Sequence, residues 1–162
     1  RPPKDETSEK GMEAIAADLM VKAGLELVMW AEAQWGTPWY IENPVGSLQH
    51  RPYMVSLTAQ EAVRRLEVHY CVYQHVYMKP THIWTNVVHW APAGSTGNGQ
   101  CHEGRRCKYG KLNRQTGKYS HNFKMAQRSS LEKGGRGRKA IKNMMPQLLQ
   151  EEWMKAALER RE

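Results

Sequence analysis

Phenylalanine is nearly absent from this chain, with one residue against six Trp and nine Met. Trp, Met and aliphatic side chains are left to fill any core, and 162 residues are enough to build one. No apolar run reaches 18 residues, which excludes a membrane-spanning helix. There are only three cysteines, Cys71, Cys101 and Cys107. An odd number does not make a disulfide framework. The chain also lacks a secretory signal, so the expected compartment is intracellular and reducing: nucleus or cytoplasm, with an organelle not excluded. An initiator Met is missing before Arg1-Pro-Pro-Lys, from which a processed or incomplete chain is expected. The N-terminal part has no strand running through a Gly-rich turn into a helix, the opening of a complete nucleotide-binding α/β domain.

Charge is present but segregated. The chain carries 24 Lys/Arg against 16 Asp/Glu. From Cys101 to Lys142, 13 Lys/Arg face two acids, a net of +11, and the remaining residues sum to −3. A basic segment of this kind suits a polyanion, DNA or RNA, or else forms a solvated arm. Within it, Arg105, Arg106, Lys133, Arg136, Arg138 and Lys139 are the candidate phosphate contacts, the last four in the run Lys-Gly-Gly-Arg-Gly-Arg-Lys whose glycines free backbone amides. Tyr109, Tyr119 and Phe123 either stack on bases or anchor the loop.

Periodicity predicts a helix from Gly11 to Trp35, with Met12, Ile15, Leu19, Met20, Leu27 and Trp30 covered. Thr7 or Ser8 would cap it. Asp18, Lys22 and Glu26 form a charged stripe. Gly36-Thr37-Pro38 stops the helix, and Trp39-Tyr40-Ile41 reads as a buried strand leading into Glu42-Asn43-Pro44-Val45-Gly46. Thr58 with Glu61 reads as a capping box opening a helix to about Leu66. Strands are expected at Val68–Val72 and His82–Val88, then a long loop from Trp90 to Gly137. A last helix runs from Pro146 to Arg160, docking through Leu148, Leu149, Trp153, Ala156 and Ala157.

The stretch from Gly11 to Asn86 resembles the second half of a cytosine-5 DNA methyltransferase catalytic domain of the divergent phage and mobile-element type. Two blocks carry the likeness: WYIENPVGSLQHRPYM, Trp39 to Met54, and VHYCVYQHVYMKPTHIWTN, Val68 to Asn86. The resemblance implies that Glu42 hydrogen-bonds the ring nitrogen and amine of a flipped cytosine, with Asn43 fixing the turn beside it. Lys79 and Thr81 fall where the family carries arginines; one lysine can bind phosphate but cannot form a bidentate fork. The family's S-adenosylmethionine site and its nucleophilic Cys after Pro would lie before Arg1. The resemblance therefore implies a methyltransferase-like chain that is incomplete or inactive alone, using S-adenosylmethionine only if an upstream half is present. The alternative is a non-catalytic nucleic-acid-binding or architectural subunit among other proteins.

The implied fold is a partial α/β, Rossmann-like methyltransferase sheet with flanking helices, a long basic loop and a C-terminal helix. Residues 1–90 would be the core, 91–140 a basic, Gly-rich zinc-loop candidate, and 141–162 a helix packed on the core. In that loop Cys101, His102, Cys107 and His121 are the candidate zinc ligands, with His89 in reserve, although Cys-x5-Cys is wider than usual. Cys71 is read as a small buried thiol.

Overall fold

A computed structural model of the chain describes residues 8–75, 78–102, 104–112, 115, 119–121 and 144–159. The chain divides into two compact units, Arg1–Trp39 and Tyr40–Glu162. Among the described residues no helix is long and apolar enough to cross a membrane.

The first unit is one helix, α1 (Glu9–Trp35). Ser8, extended at the N-cap, accepts from the Gly11 amide at 3.1 Å, satisfying one of the first-turn donors. Gly36 ends the helix in the left-handed conformation at φ 62°, its amide donating to the Glu32 carbonyl. The cover predicted for the apolar positions of α1 is not observed. Met12, Ile15, Leu19, Met20, Leu27 and Trp30 are exposed. The half-buried line is Ala14, Asp18, Val21, Leu25, Val28 and Glu32. Apolar side chains surround this helix, so periodicity alone could not choose a face.

The second unit is built on a three-stranded sheet of β1 (Tyr40–Pro44), β2 (Arg64–His69) and β3 (Pro80–Thr85), in the order β1-β3-β2. Both outer strands pair antiparallel with β3: Glu42 and Leu66 flank Ile83 in register. They therefore run in the same direction, and the chain passes from one to the other through α2 (Pro52–Thr58). The unit is thus a mixed helix and strand fold with a small antiparallel-paired sheet.

The central strand is covered along most of its length, with Thr81, His82, Ile83, Trp84 and Thr85 all buried. Alternation puts His82 and Trp84 on one face and Thr81, Ile83 and Thr85 on the other. Trp84, fully buried, donates its indole N–H to Thr58 Oγ1 of α2 at 3.1 Å. Ile83 joins the main core with Val68, Tyr70, Val87 and Trp90, and with Leu149 and Trp153 of α3 (Gln147–Glu159). Tyr40 stacks on Trp153, ring centroids 4.7 Å apart, and its hydroxyl donates to the Trp153 carbonyl at 3.1 Å.

Several boundaries differ from expectation. The second helix ends at Thr58 rather than starting there; Pro52 occupies its first turn. The Thr58 hydroxyl donates backward to the Met54 carbonyl at 2.7 Å, which a cap would not do. The strand expected at Val68–Val72 is β2, shifted upstream, followed by a 3-10 turn at Tyr70–Tyr73. The long loop is partly ordered by a 3-10 turn, Gly94–Thr96, and by a hairpin of β4 (Gly110–Leu112) and β5 (Tyr119–His121). Gly94 sits at φ 53° with its missing Cβ directed to within 2.5 Å of Val72 Cγ2, so both backbone angle and close approach call for glycine. In α3, Leu149, Trp153 and Ala156 are buried, whereas Leu148 is exposed.

Candidate metal centre and the Glu42 carboxylate

Three thiols and one imidazole meet inside the second unit. Cys71 comes from the 3-10 turn after β2, Cys101 and Cys107 from the loop before the hairpin, and His121 from the end of β5. Their ligand atoms all lie within 4.8 Å of one another. All four side chains are buried, at 1, 3, 4 and 6% exposure respectively. His121 Nε2 stands 3.2 Å from Cys107 Sγ and 3.6 Å from Cys101 Sγ. The Cys107 amide donates to Cys101 Sγ at 3.2 Å. The three cysteines are free thiols. Soft sulfur and imidazole donors in this number form a buried cluster that could bind a metal such as zinc.

Burial shapes the protonation of this cluster. It pushes the Cys71 thiol well above its ordinary range, with Cys107 and Cys101 adding to the effect. It likewise raises Cys107 and lowers His121. Each direction disfavours the charged form, as burial does.

Of the four ligands read from the sequence, the structure brings together Cys101, Cys107 and His121. His102 is a correction: it is exposed, and its backbone bonds that of Arg105 in a tight reversal. The side chain of His102 therefore faces away from the thiols, and Cys71 takes the fourth place. His89 is not in reserve either, because its Nε2 donates to the Ala156 carbonyl at 2.9 Å. Cys71 lies 30 residues before Cys101, so no local spacing reveals it. The available signal was that a third buried Cys completes a set of four soft donors.

The loop that carries the thiols is fastened to β2. His69 Nδ1 lies 3.0 Å from the Cys101 amide nitrogen and 3.1 Å from the Cys101 carbonyl oxygen, and its Nε2 lies 3.0 Å from Glu67 Oε1. The Tyr109 hydroxyl donates to the Gln74 carbonyl at 3.1 Å, the anchoring role rather than base stacking. On the same face of the sheet as Glu67, His82 is 6% exposed and its Nδ1 has no hydrogen-bond partner among the described residues. Burial lowers its pKa; nearby Arg65 and His50 act the same way, while Glu67, 3.7 Å from Nε2, opposes them. A histidine depressed in the fold keeps the native state whole above its unfolded pKa of about 6.5 and weakens it as pH falls below that. Thermal unfolding should therefore show a loss of stability from about pH 7 to about pH 5 that is smaller in His82→Gln. Identical pH slopes in the two proteins would contradict this account of His82.

Glu42 is the middle residue of β1. Its Oε1 accepts from the Tyr70 hydroxyl at 2.7 Å and meets Lys79 Nζ at 3.3 Å. Lys79 also lies over the Tyr70 ring, 4.6 Å from its centroid. Burial, followed by the Glu42 contact, raises the Tyr70 pKa far above the ordinary tyrosine range, so the phenol remains a donor. Asn43 Nδ2 donates to the Pro44 carbonyl at 2.7 Å. Thr81 is buried in β3 and donates to the Lys79 carbonyl at 3.2 Å.

The basic residues divide. Arg105 and Arg106 are exposed on the thiol-bearing loop, together with Lys108 and Lys111. Lys133, Arg136, Arg138 and Lys139 lie outside the described residues, as does Phe123. Comparison with family models, curated proteins and solved structures finds no match for this chain.

Proposed function

We infer that the chain is the cytosine-binding half of a cytosine-5 DNA methyltransferase, with Glu42 as the carboxylate that meets the base. The observation that carries this reading is spatial. Glu42 belongs to the first resembling block, Tyr70 and Lys79 to the second, and the latter two side chains converge on the Glu42 carboxylate. A base-binding acid needs fixed orientation, which a buried phenol and a paired lysine supply. The connection of β1 through α2 to β2, with β3 between them, suits one edge of a Rossmann-like α/β sheet. Methyl transfer also needs a thiolate and S-adenosylmethionine, and Cys71 is committed to the thiol cluster. The lone chain is therefore a binding half, without methyltransferase activity of its own.

The test is fluorescence anisotropy with DNA hairpins holding one unpaired cytosine, compared with otherwise identical hairpins holding thymine. The expected cytosine preference is about five-fold, the worth of one net hydrogen bond of about 1 kcal/mol. Glu42→Ala should abolish the preference while keeping the salt-dependent binding. Equal affinity for the two hairpins, or a preference that survives Glu42→Ala, would count against the reading.

A second reading is a non-catalytic nucleic-acid-binding subunit. Exposed Arg105, Arg106, Lys108 and Lys111 on one loop favour it. It predicts salt-sensitive binding to DNA or RNA with no base preference, which the same titrations distinguish.

A further inference from the structure

We propose that Cys71, Cys101, Cys107 and His121 are the four ligands of a closed structural zinc site that ties the basic loop to the end of β2. The site uses none of Glu42, Asn43 or Lys79 and stands whether or not the chain handles cytosine.

The ligand count decides the class. A catalytic zinc keeps a position open for water or substrate, whereas a structural one is closed by four protein ligands. Here four donors converge, each at most 6% exposed. Ligand atoms around a tetrahedral zinc with Zn–S bonds of about 2.3 Å stand about 3.8 Å apart. The observed spread, within 4.8 Å, closes to that by small side-chain movements.

The chemistry of the surroundings agrees. Binding would release three thiol protons to solvent and leave neutral His121 bound through Nε2, the nitrogen that already faces Cys101 and Cys107. The centre then carries one net negative charge: two positive from zinc, three negative from thiolates. Arg105, Arg106 and Lys108 surround it in sequence, and the Cys107 amide donates to the Cys101 sulfur. Backbone positions are fixed independently of any ion by the Cys101 amide on His69 and by Tyr109 on Gln74. The ligands come from three separate segments, so the ion would cross-link elements that the sparse apolar content of residues 101–121 cannot hold by burial alone.

Cobalt(II) substitution of the full chain tests the ligand set. The wild type should show tetrahedral d–d bands and a thiolate-to-cobalt charge-transfer band of three-thiolate intensity. Cys71→Ser should lower that intensity to about two-thirds, and His102→Ala should leave it unchanged. Should Cys71→Ser fail to fold, His121→Cys gives an independent readout, with intensity rising by about one-third for a fourth thiolate. A two-thiolate spectrum in the wild type, a spectrum sensitive to His102→Ala, weak octahedral bands, or no rise in His121→Cys would each overturn the assignment.

Discussion

Stripping the proposed metal with a strong chelator should cost the Tyr40–Glu162 unit at least about 4 kcal/mol, the linkage value for a site filled at about 1,000 times its Kd. The argument rests on what remains when the ion leaves. Cys71, Cys101 and Cys107 belong to the same buried cluster as Val68, Tyr70, Trp90 and Leu149. Without metal the site holds three thiols and an imidazole, groups that pack but do not cross-link. The loop would then be held by His69 on Cys101, Tyr109 on Gln74 and a hairpin of three-residue strands. Hydrogen exchange should show protection falling first at Cys101, Cys107 and Gly110, and next at the Tyr70–Tyr73 turn that carries Cys71. The β1-β3-β2 ladder should be the last to lose it. An unchanged melting temperature with chelator, measured on protein that carried metal beforehand, would contradict this.

Replacing Glu152 with alanine should cost about 3–6 kcal/mol, from at least two donors losing charge-assisted partners at roughly 1.5–3 kcal/mol each. This one carboxylate on α3 accepts from the Trp90 indole at 3.0 Å, the Ala93 amide at 3.1 Å, the Tyr73 hydroxyl at 3.3 Å and the Gly94 amide at 3.3 Å. It thereby joins α3 to three other segments, two of which flank the thiol cluster in sequence. Tyr73 is buried, and burial, followed by Glu152, raises its pKa far above the usual range; it stays protonated and needs its acceptor. Trp90 is likewise buried and would be left with an orphaned N–H. Glu152→Gln keeps an acceptor oxygen of the same reach and should lose about half as much. Urea denaturation measures both. A loss under about 1 kcal/mol in the alanine variant would mean that water replaces the carboxylate without penalty.

Helix ends and strong apolar runs were legible in the sequence. Ser8, Gly36 and Pro146 mark α1 and α3 to within a residue or two, because caps and proline act locally. The central strand was legible from His82 onward, although it starts at Pro80 and ends at Thr85, and the first strand from the resembling block, although it runs on to Pro44 with Glu42 at its middle. What failed depends on contacts distant in sequence. Thr58 satisfies a capping-box pattern, yet its hydroxyl is used by Met54 and Trp84, and Pro52 is the true start signal. The exposure of Met12, Ile15, Leu19, Met20, Leu27 and Trp30 on α1 could not be read because apolar residues occur all round the helix. In the metal centre, His102 was chosen because it adjoins Cys101. Neighbouring residues in a tight reversal point apart, whereas Cys71 is delivered by the turn after β2. The meeting of Glu42 with Tyr70 and Lys79 follows from the antiparallel register of β1 and β3, which no local pattern states.

The central claim is a unit braced by one metal ion held by Cys71, Cys101, Cys107 and His121. Native mass spectrometry of the intact chain, expressed with zinc in the medium and purified without chelator, tests it most directly. The account predicts one zinc per chain, lost on acidification together with the appearance of three alkylatable thiols. A metal-free mass under native conditions, with all three thiols open to alkylation from the start, would contradict it.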